Sequence, residues 1–182
     1  MKDIDVWDIW AVDESNVWAI GSDNVILKTQ DGGAQWDSLL PADNFNYNEW
    51  IGVCSSGNTF VIYGGKSHYL VSTDEGTTWR NDSVPASGGG GGADINHLIM
   101  LNQQTWWGAL DMGYVCLTTD DGSAWTMQPT GQGGSYLVGI DAWALQKVFR
   151  NQCYTIRTKG HRGTCQSKTS FEQKFSGARK VK

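Results

Sequence analysis

Proline and charge are both scarce here: three prolines, and only 18 % Asp, Glu, Lys and Arg, in 182 residues. Little charge together with 23 glycines argues against a helical bundle or coiled coil, which are built from charged, helix-forming residues. No apolar run approaches the roughly 18 residues that a membrane-spanning helix needs. The start, Met1-Lys2-Asp3-Ile4-Asp5, opens no apolar stretch, so no secretory leader is expected. The expected location is the cytoplasm, or an extracellular or virion surface if the chain is processed or excised. Cysteine is limited to Cys54, Cys116, Cys153 and Cys165, with no Cys-x-x-Cys spacing for zinc. Nor do His68, His97 and His161 have ligand partners at metal spacing, so neither metal nor cofactor is expected. Cys54 and Cys116 lie in apolar runs and read as small buried hydrophobes. A Cys153–Cys165 bridge is expected only in an oxidising setting.

What is abundant is aromatic surface. Ten Trp, six Tyr and five Phe exclude a disordered chain and supply a large core. Charge is divided unevenly. Residues 1–146 hold 18 acids and four bases (Lys2, Lys28, Lys66, Arg80), a net of −14, whereas 147–182 hold ten bases and Glu172, a net of +9. A body at −14 repels phosphate, so nucleic acid is disfavoured as a partner. The basic end balances the acidic body or contacts an anionic surface.

Self-similarity organises the rest. Thr29-Gln-Asp31-Gly-Gly33-Ala-Gln-Trp36 returns as Ser72-Thr-Asp74-Glu-Gly76-Thr-Thr-Trp79 and as Thr118-Thr-Asp120-Asp-Gly122-Ser-Ala-Trp125. A degenerate copy, Thr158-Lys-Gly160-His-Arg162-Gly-Thr-Cys165, keeps the Thr and lacks the Asp, Gly and Trp. The octapeptide carries turn chemistry. A hydroxyl and a carboxylate two residues on accept N–H groups that a tight hairpin leaves unpaired. The glycine takes positive φ, and the Trp returns on the next strand to pack. Recurrence in every copy favours a structural role for Asp31, Asp74 and Asp120 over a catalytic or metal-binding one.

Before each copy the pattern gives three short strands. In the first repeat they fall at 7–13, 16–20 and 24–29, with a fourth at 34–39 after the turn; the next repeats give 50–54, 59–63 and 68–72, then 97–101, 105–110 and 114–118. Four short alternating strands per 40–45 residues predict an all-β fold, a β-propeller of four-stranded antiparallel blades. The expected blades are about 4–40, 45–84, 94–129 and 135–175, filling 1–175 and followed by a basic tail at 176–182. Linkers fall at 41–48, 85–93 (with five consecutive glycines, 88–92) and 129–135.

The octapeptide resembles the Asp-box of the bacterial-neuraminidase-repeat, sialidase-like propellers. Val17-Trp18-Ala19-Ile20-Gly21 followed by Leu27-Lys28-Thr29-Gln30-Asp31-Gly32-Gly33 is similar to repeats of the photosystem II stability/assembly-factor-like propellers. That resemblance implies a propeller acting by binding; the sialidase side of it implies glycoside hydrolysis. The first arginine is Arg80 and no Tyr–Glu pair is assignable, so the arginine triad and nucleophile of sialidases do not carry over. Such propellers usually close about seven blades, whereas four repeats make a closed four-bladed ring, half of a homo-oligomeric ring, or a fragment.

With strands numbered outward within a blade, the octapeptide turns share one face with the 1–2 turns. The longer, more varied segments fall on the other, where binding residues tend to lie. That face collects Tyr47, Glu49, Trp50, Lys66, His68 and Asp111 as candidate binding residues for a protein or glycan ligand, with no catalytic residue assigned. Phe45 and Trp50 also read as inter-blade core. The expected function is a non-catalytic binding or scaffold module. The alternative is a glycoside hydrolase, whose two carboxylates would come from Glu49, Asp94, Asp111 or Asp141 at about 5–10 Å separation. A third possibility is a purely structural virion or surface-layer component.

Overall fold

The computed structural model describes residues 4–39, 50–85, 92–130, 137–143, 153–158 and 165–167. Its elements are β1 (Val6–Ala11), β2 (Val17–Gly21), β3 (Ile26–Thr29) and β4 (Asp37–Leu39), then β5 (Trp50–Ser56), β6 (Thr59–Gly64), β7 (His68–Ser72) and β8 (Arg80–Ser83). These are followed by β9 (Ile95–Met100), β10 (Trp106–Leu110), β11 (Tyr114–Thr118) and β12 (Thr126–Pro129), and by β13 (Leu137–Trp143), β14 (Cys153–Thr158) and β15 (Cys165–Ser167). Three antiparallel meanders, β1-β2-β3-β4, β5-β6-β7-β8 and β9-β10-β11-β12, form four-stranded sheets, and β13-β14-β15 form a three-stranded one. First strands pack in succession, β1 on β5, β5 on β9 and β9 on β13, as the inner strands of propeller blades do.

The second and third sheets are apolar on both faces because each is sandwiched. Trp18, Ile20 and Ile26 of the first blade meet Trp50, Val53, Phe60, Ile62 and Leu70 of the second. Cys54, Val61, Tyr63, Tyr69 and Val71 on its other face meet Ile95, Leu98, Trp106, Leu110 and Cys116 of the third. Alternation sends neighbours such as Leu70 and Val71 to opposite interfaces, which is the period-two rule applied to a doubly covered sheet.

The octapeptides join the third strand of a blade to the fourth, and their hydrogen bonds repeat. Thr29 Oγ1 donates to Asp31 Oδ1 (2.8 Å) and accepts from Gly33 N (3.0 Å), while Gln35 N donates to Asp31 Oδ1 (2.9 Å). In the second copy Ser72 Oγ donates to Asp74 Oδ1 (2.8 Å) and accepts from Gly76 N (2.7 Å), with Thr78 N on Asp74 Oδ1 (2.8 Å). In the third, Thr118 Oγ1 donates to Asp120 Oδ1 (2.7 Å) and accepts from Gly122 N (3.1 Å), with Ala124 N on Asp120 Oδ1 (2.9 Å). The hydroxyls are buried and the carboxylates lie at the surface. Those hydrogen bonds hold all three carboxyls below the usual range; at Asp74 the Thr78 hydroxyl, donating to Oδ2 (2.7 Å), has the largest effect and with the others brings it down to about 2.

The second and third turns also dock on the preceding blade. Gly76 (φ +87°) lies beneath the Trp18 ring, and Gly122 (φ +89°) beneath Tyr69 and Trp106. Trp79 meets Trp18 edge-on at 6.0 Å, and Trp125 meets Tyr69 at 5.6 Å. Lys28 Nζ donates to Glu75 O (3.2 Å) across the first seam and Arg80 Nη2 to Asp121 O (2.8 Å) across the second, so a cationic side chain ties each seam to the following turn.

Two expectations change. The fourth strand of the first blade begins at Asp37 rather than at 34, because the turn consumes residues up to Trp36. The degenerate copy spanning Thr158 to Cys165 lies between β14 and β15, which among the described residues are the second and third strands of their sheet rather than a third and a fourth. Lacking the Asp, Gly and Trp, it lacks the groups that build the turn. Register there pairs Cys153 with Ser167 and Cys165 with Thr155, so the two cysteines are diagonal rather than opposite, and their side chains lie outside the described residues. Outside them too lie most of the three linkers, Tyr47, Glu49, and the tail at 176–182.

Candidate functional site

The 2–3 turns of the first three blades, Ser22–Asn24, Gly65–Ser67 and Asp111–Gly113, are alike in shape and unlike in sequence. Each places a pair of residues at positive φ: Asp23 and Asn24, Lys66 and Ser67, Met112 and Gly113. The segment preceding a first strand ties into these turns. Ser22 N donates to Asp5 O (2.8 Å) and Asp111 N to Asp94 O (3.2 Å), within one blade. Across blades, Lys66 N donates to Asp94 Oδ1 (2.8 Å) and Ser67 Oγ to Ala93 O (2.6 Å).

Between the first and second blades this face opens into a pocket of about 490 Å³, lined by Trp7, Gly21, Ser22, Asp23, Asn24, Trp50 and Ile51. Its floor is apolar. Trp50 is 2 % exposed and packs in the core with Phe60 and Ile62, so it supplies an edge of its ring rather than a projecting side chain. Trp7, by contrast, is 60 % exposed. It sits at a β-bulge: Val6 pairs with Gly21 and Asp8 with Ile20, leaving Trp7 with no cross-strand partner. Bulges re-aim the residue they expel, and this one directs an indole into the pocket.

The candidates named from sequence do not form one cluster. Trp50 lines the pocket. Lys66 is exposed on the next turn around, and Asp111 on the third turn accepts from Asn96 Nδ2 (2.7 Å). His68 starts β7 half-buried, its Nδ1 enclosed with no hydrogen-bond partner among the described residues. Of the carboxylates weighed for hydrolysis, Asp94 and Asp111 brace turns through the bonds above, and Asp141 is exposed on β13. No group of three or more metal-ligating side chains occurs among the described residues, and no helix there is long and apolar enough to cross a membrane. Sequence reasoning missed Trp7, Asp23, Asn24 and Ile51 as pocket residues. The available signal was the pair Trp7 and Trp10 in one short strand, since strict alternation cannot bury two such rings and Asp8 between them.

The opposite side of the first blade is uncovered. Val6, Ile9 and Val12 are 57, 61 and 47 % exposed, and Trp36 is 41 % exposed where Trp79 and Trp125 find rings of a preceding blade. Ile9 occupies the place that Val53 holds in the second blade, and Val53 is 2 % exposed. Among the described residues β13 makes no packing against β1 comparable to that between successive first strands.

No family model and no curated protein matches this sequence. Solved structures do match its shape. The chain is similar to YCF48 bound to a D1 peptide, with 17 % identity and a TM-score of 0.66 over 91 % of this chain and 55 % of that one. YCF48 from Cyanidioschyzon merolae gives 18 % identity and a TM-score of 0.59 over 91 % of this chain and 56 % of that one. A GH74 xyloglucanase from Xanthomonas campestris gives 10 % and 0.60 over 78 % of this chain and 24 % of that one. The chain thus spans about half the length of the first two structures. At these identities the likeness is one of fold. The chain is a β-propeller of four-stranded antiparallel blades, of the kind found in YCF48 and the GH74 structures.

Proposed function

We propose that this protein is a binding module that takes a peptide segment of a protein partner on its 2–3-turn face, without catalysis. The reading rests on the pocket between the first two blades, an apolar floor of Trp7, Trp50 and Ile51 walled by the polar turn Ser22–Asn24. Aromatic side chains anchor partners by burying large area at little entropic cost, and adjacent amides and hydroxyls pair with a peptide backbone. The similar structure of YCF48 bound to a D1 peptide lends support by analogy. The proposal takes about 4–40, 45–84, 94–129 and 135–175 as blade units ahead of a basic tail at 176–182. It keeps Tyr47, Glu49, Lys66, His68 and Asp111 as outlying members of the binding face. An array of immobilised random dodecapeptides and a glycan array, probed in parallel with the wild type and Trp7→Ala, provide the test. Peptide capture lost in the variant is expected. Glycan capture or release, with no peptide captured, would replace this reading by carbohydrate recognition or hydrolysis.

A second reading concerns assembly. Ile9, Val6 and Trp36 expose a blade face whose counterpart in the second blade is buried, and a blade face is complementary to another blade. A head-to-tail pairing would set the acidic first repeat of one copy against residues 147–182 of another, which carry a net charge of +9. We therefore propose that a second copy of the chain completes the ring.

A further inference from the structure

The bulge at Trp7 has three counterparts. In β5, Trp50 pairs with Gly64 and Gly52 with Tyr63, expelling Ile51. In β9, Ile95 pairs with Leu110 and His97 with Ala109, expelling Asn96. In β13, Leu137 pairs with Thr158 and Gly139 with Arg157, expelling Val138. All four occur at the second residue of an innermost strand, at the end of the blade where the 2–3 turns lie. The sheets need not repeat this feature merely to twist, because it falls at one register in every blade and nowhere else at a first strand's opposite end. Successive first strands pack side by side, so the four expelled residues follow one another along an arc at the mouth of the propeller.

The residues in that arc are Trp7, Ile51, Asn96 and Val138. Trp7 and Val138, at its two ends, are 60 and 48 % exposed; on β1 the neighbours Val6 and Ile9 are exposed as well, but on the uncovered blade face rather than at the pocket. Ile51 shares the pocket with Trp7. Asn96 is held in place by the hydrogen bond that its Nδ2 donates to Asp111 Oδ1 (2.7 Å). Around the first three blades of the arc, among the described residues, the turns and the residues leading into the first strands carry Asp5, Asp23, Asp94 and Asp111 against Lys66.

We propose that the four bulge positions form one continuous docking strip for an extended peptide whose apolar side chains are flanked by Lys or Arg. Trp7, Ile51 and Val138 receive the apolar side chains, Asn96 contacts the peptide backbone, and the rim carboxylates select the basic flanks. This deepens the peptide-binding reading above and rests on it; the added content is the extent of the strip and the charge of its ligand.

Fluorescence anisotropy tests it with two labelled nonapeptides sharing a Leu-Ser-Leu-Ser-Leu core, one flanked by two lysines at each end and the other by two glutamates. The lysine peptide should bind at least about tenfold more tightly at low salt, and its advantage should shrink as NaCl is raised toward about 0.5 M. Trp7→Ala and Val138→Ser should each weaken it about fivefold or more, while Glu14→Gln, in the 1–2 turn at the far end, should leave it unchanged. If Trp7→Ala weakens binding and Val138→Ser does not, the site is the pocket alone: the strip is overturned and the peptide-binding reading stands. Equal affinity for the two peptides overturns the charge selection. Folded wild type that binds neither, while Trp7-dependent peptides emerge from the random array, overturns this inference and leaves the broader one intact.

Discussion

Replacing Tyr69 by Phe removes one oxygen and leaves the ring, so it isolates what the hydroxyl does at the seam between the second and third blades. Tyr69 is 0 % exposed. Its hydroxyl donates to Gly122 O (2.9 Å) and accepts from Trp125 Nε1 (3.2 Å). Edge-on contacts to Trp106 at 6.2 Å and Trp125 at 5.6 Å survive the change. What is lost is the partner of a buried carbonyl and of a part-buried indole N–H. Stranding a buried polar group costs about 1–3 kcal/mol, and the indole is wet enough to recover some of its share, so about 2 kcal/mol is expected. For a chain of this size that corresponds to about 4–8 °C in Tm. Burial also pushes the Tyr69 hydroxyl up to about 12. The unfolded chain releases that proton first, near pH 10, so this contribution is present below about pH 10 and is lost as pH climbs toward 12. The assay is denaturant unfolding followed by circular dichroism, at pH 8 and across pH 9–11.5, for wild type, Tyr69→Phe, Trp125→Phe and the double variant. Tyr69→Phe should be less stable at pH 8, show a flatter alkaline decline, and be non-additive with Trp125→Phe. A Tm within about 1 °C of wild type together with an additive cycle would refute the claim that this hydroxyl joins the blades.

Gly76→Ala should cost roughly 2 kcal/mol or more, because the residue sits at φ +87° and the added methyl meets the Trp18 ring; calorimetry should show it, and Gly33→Ala, which meets only Trp36, should cost less. Acid should weaken the three turns together. With Asp74 held down to about 2 and Asp31 and Asp120 also lowered, their contribution is present above about pH 4 and lost as pH falls toward 2, so Asp74→Asn should flatten the acid limb of a stability–pH curve. Cys54 and Cys116 are buried thiols pushed far up by desolvation, and a thiol reagent at pH 8 should label neither until denaturant is added. Ile9→Lys should lower the solution mass to that of one chain at a concentration where the wild type runs as two or more; a wild type that is monomeric at all concentrations would sink the ring-completion proposal.

The octapeptides were legible because their chemistry is local. A hydroxyl, a carboxylate two residues on and a glycine two further on close a turn with bonds inside eight residues, so Ser72, Asp74 and Gly76 announce it without help from the rest of the chain. Strand number and blade order follow from the same spacing, since a four-stranded meander needs only short turns between consecutive strands. The fourth copy could not be placed this way, because its sequence lacks the Asp, Gly and Trp that carry the turn chemistry; among the described residues it falls between β14 and β15. Packing across blades was hidden for a different reason. Trp18, Trp79 and Trp36 look interchangeable in sequence, yet Trp18 is buried, Trp79 leans on it, and Trp36 is 41 % exposed, on a blade face that no other described blade covers. Apart from the hint in the pair Trp7 and Trp10, the bulges at Trp7, Ile51, Asn96 and Val138 were likewise hidden, since a one-residue slip in register is set by the pairing partner. Local bonding chemistry, in short reach of itself, is written in the sequence; which ring covers which, and which side chain a bulge turns toward the mouth, exists only once the sheets are stacked.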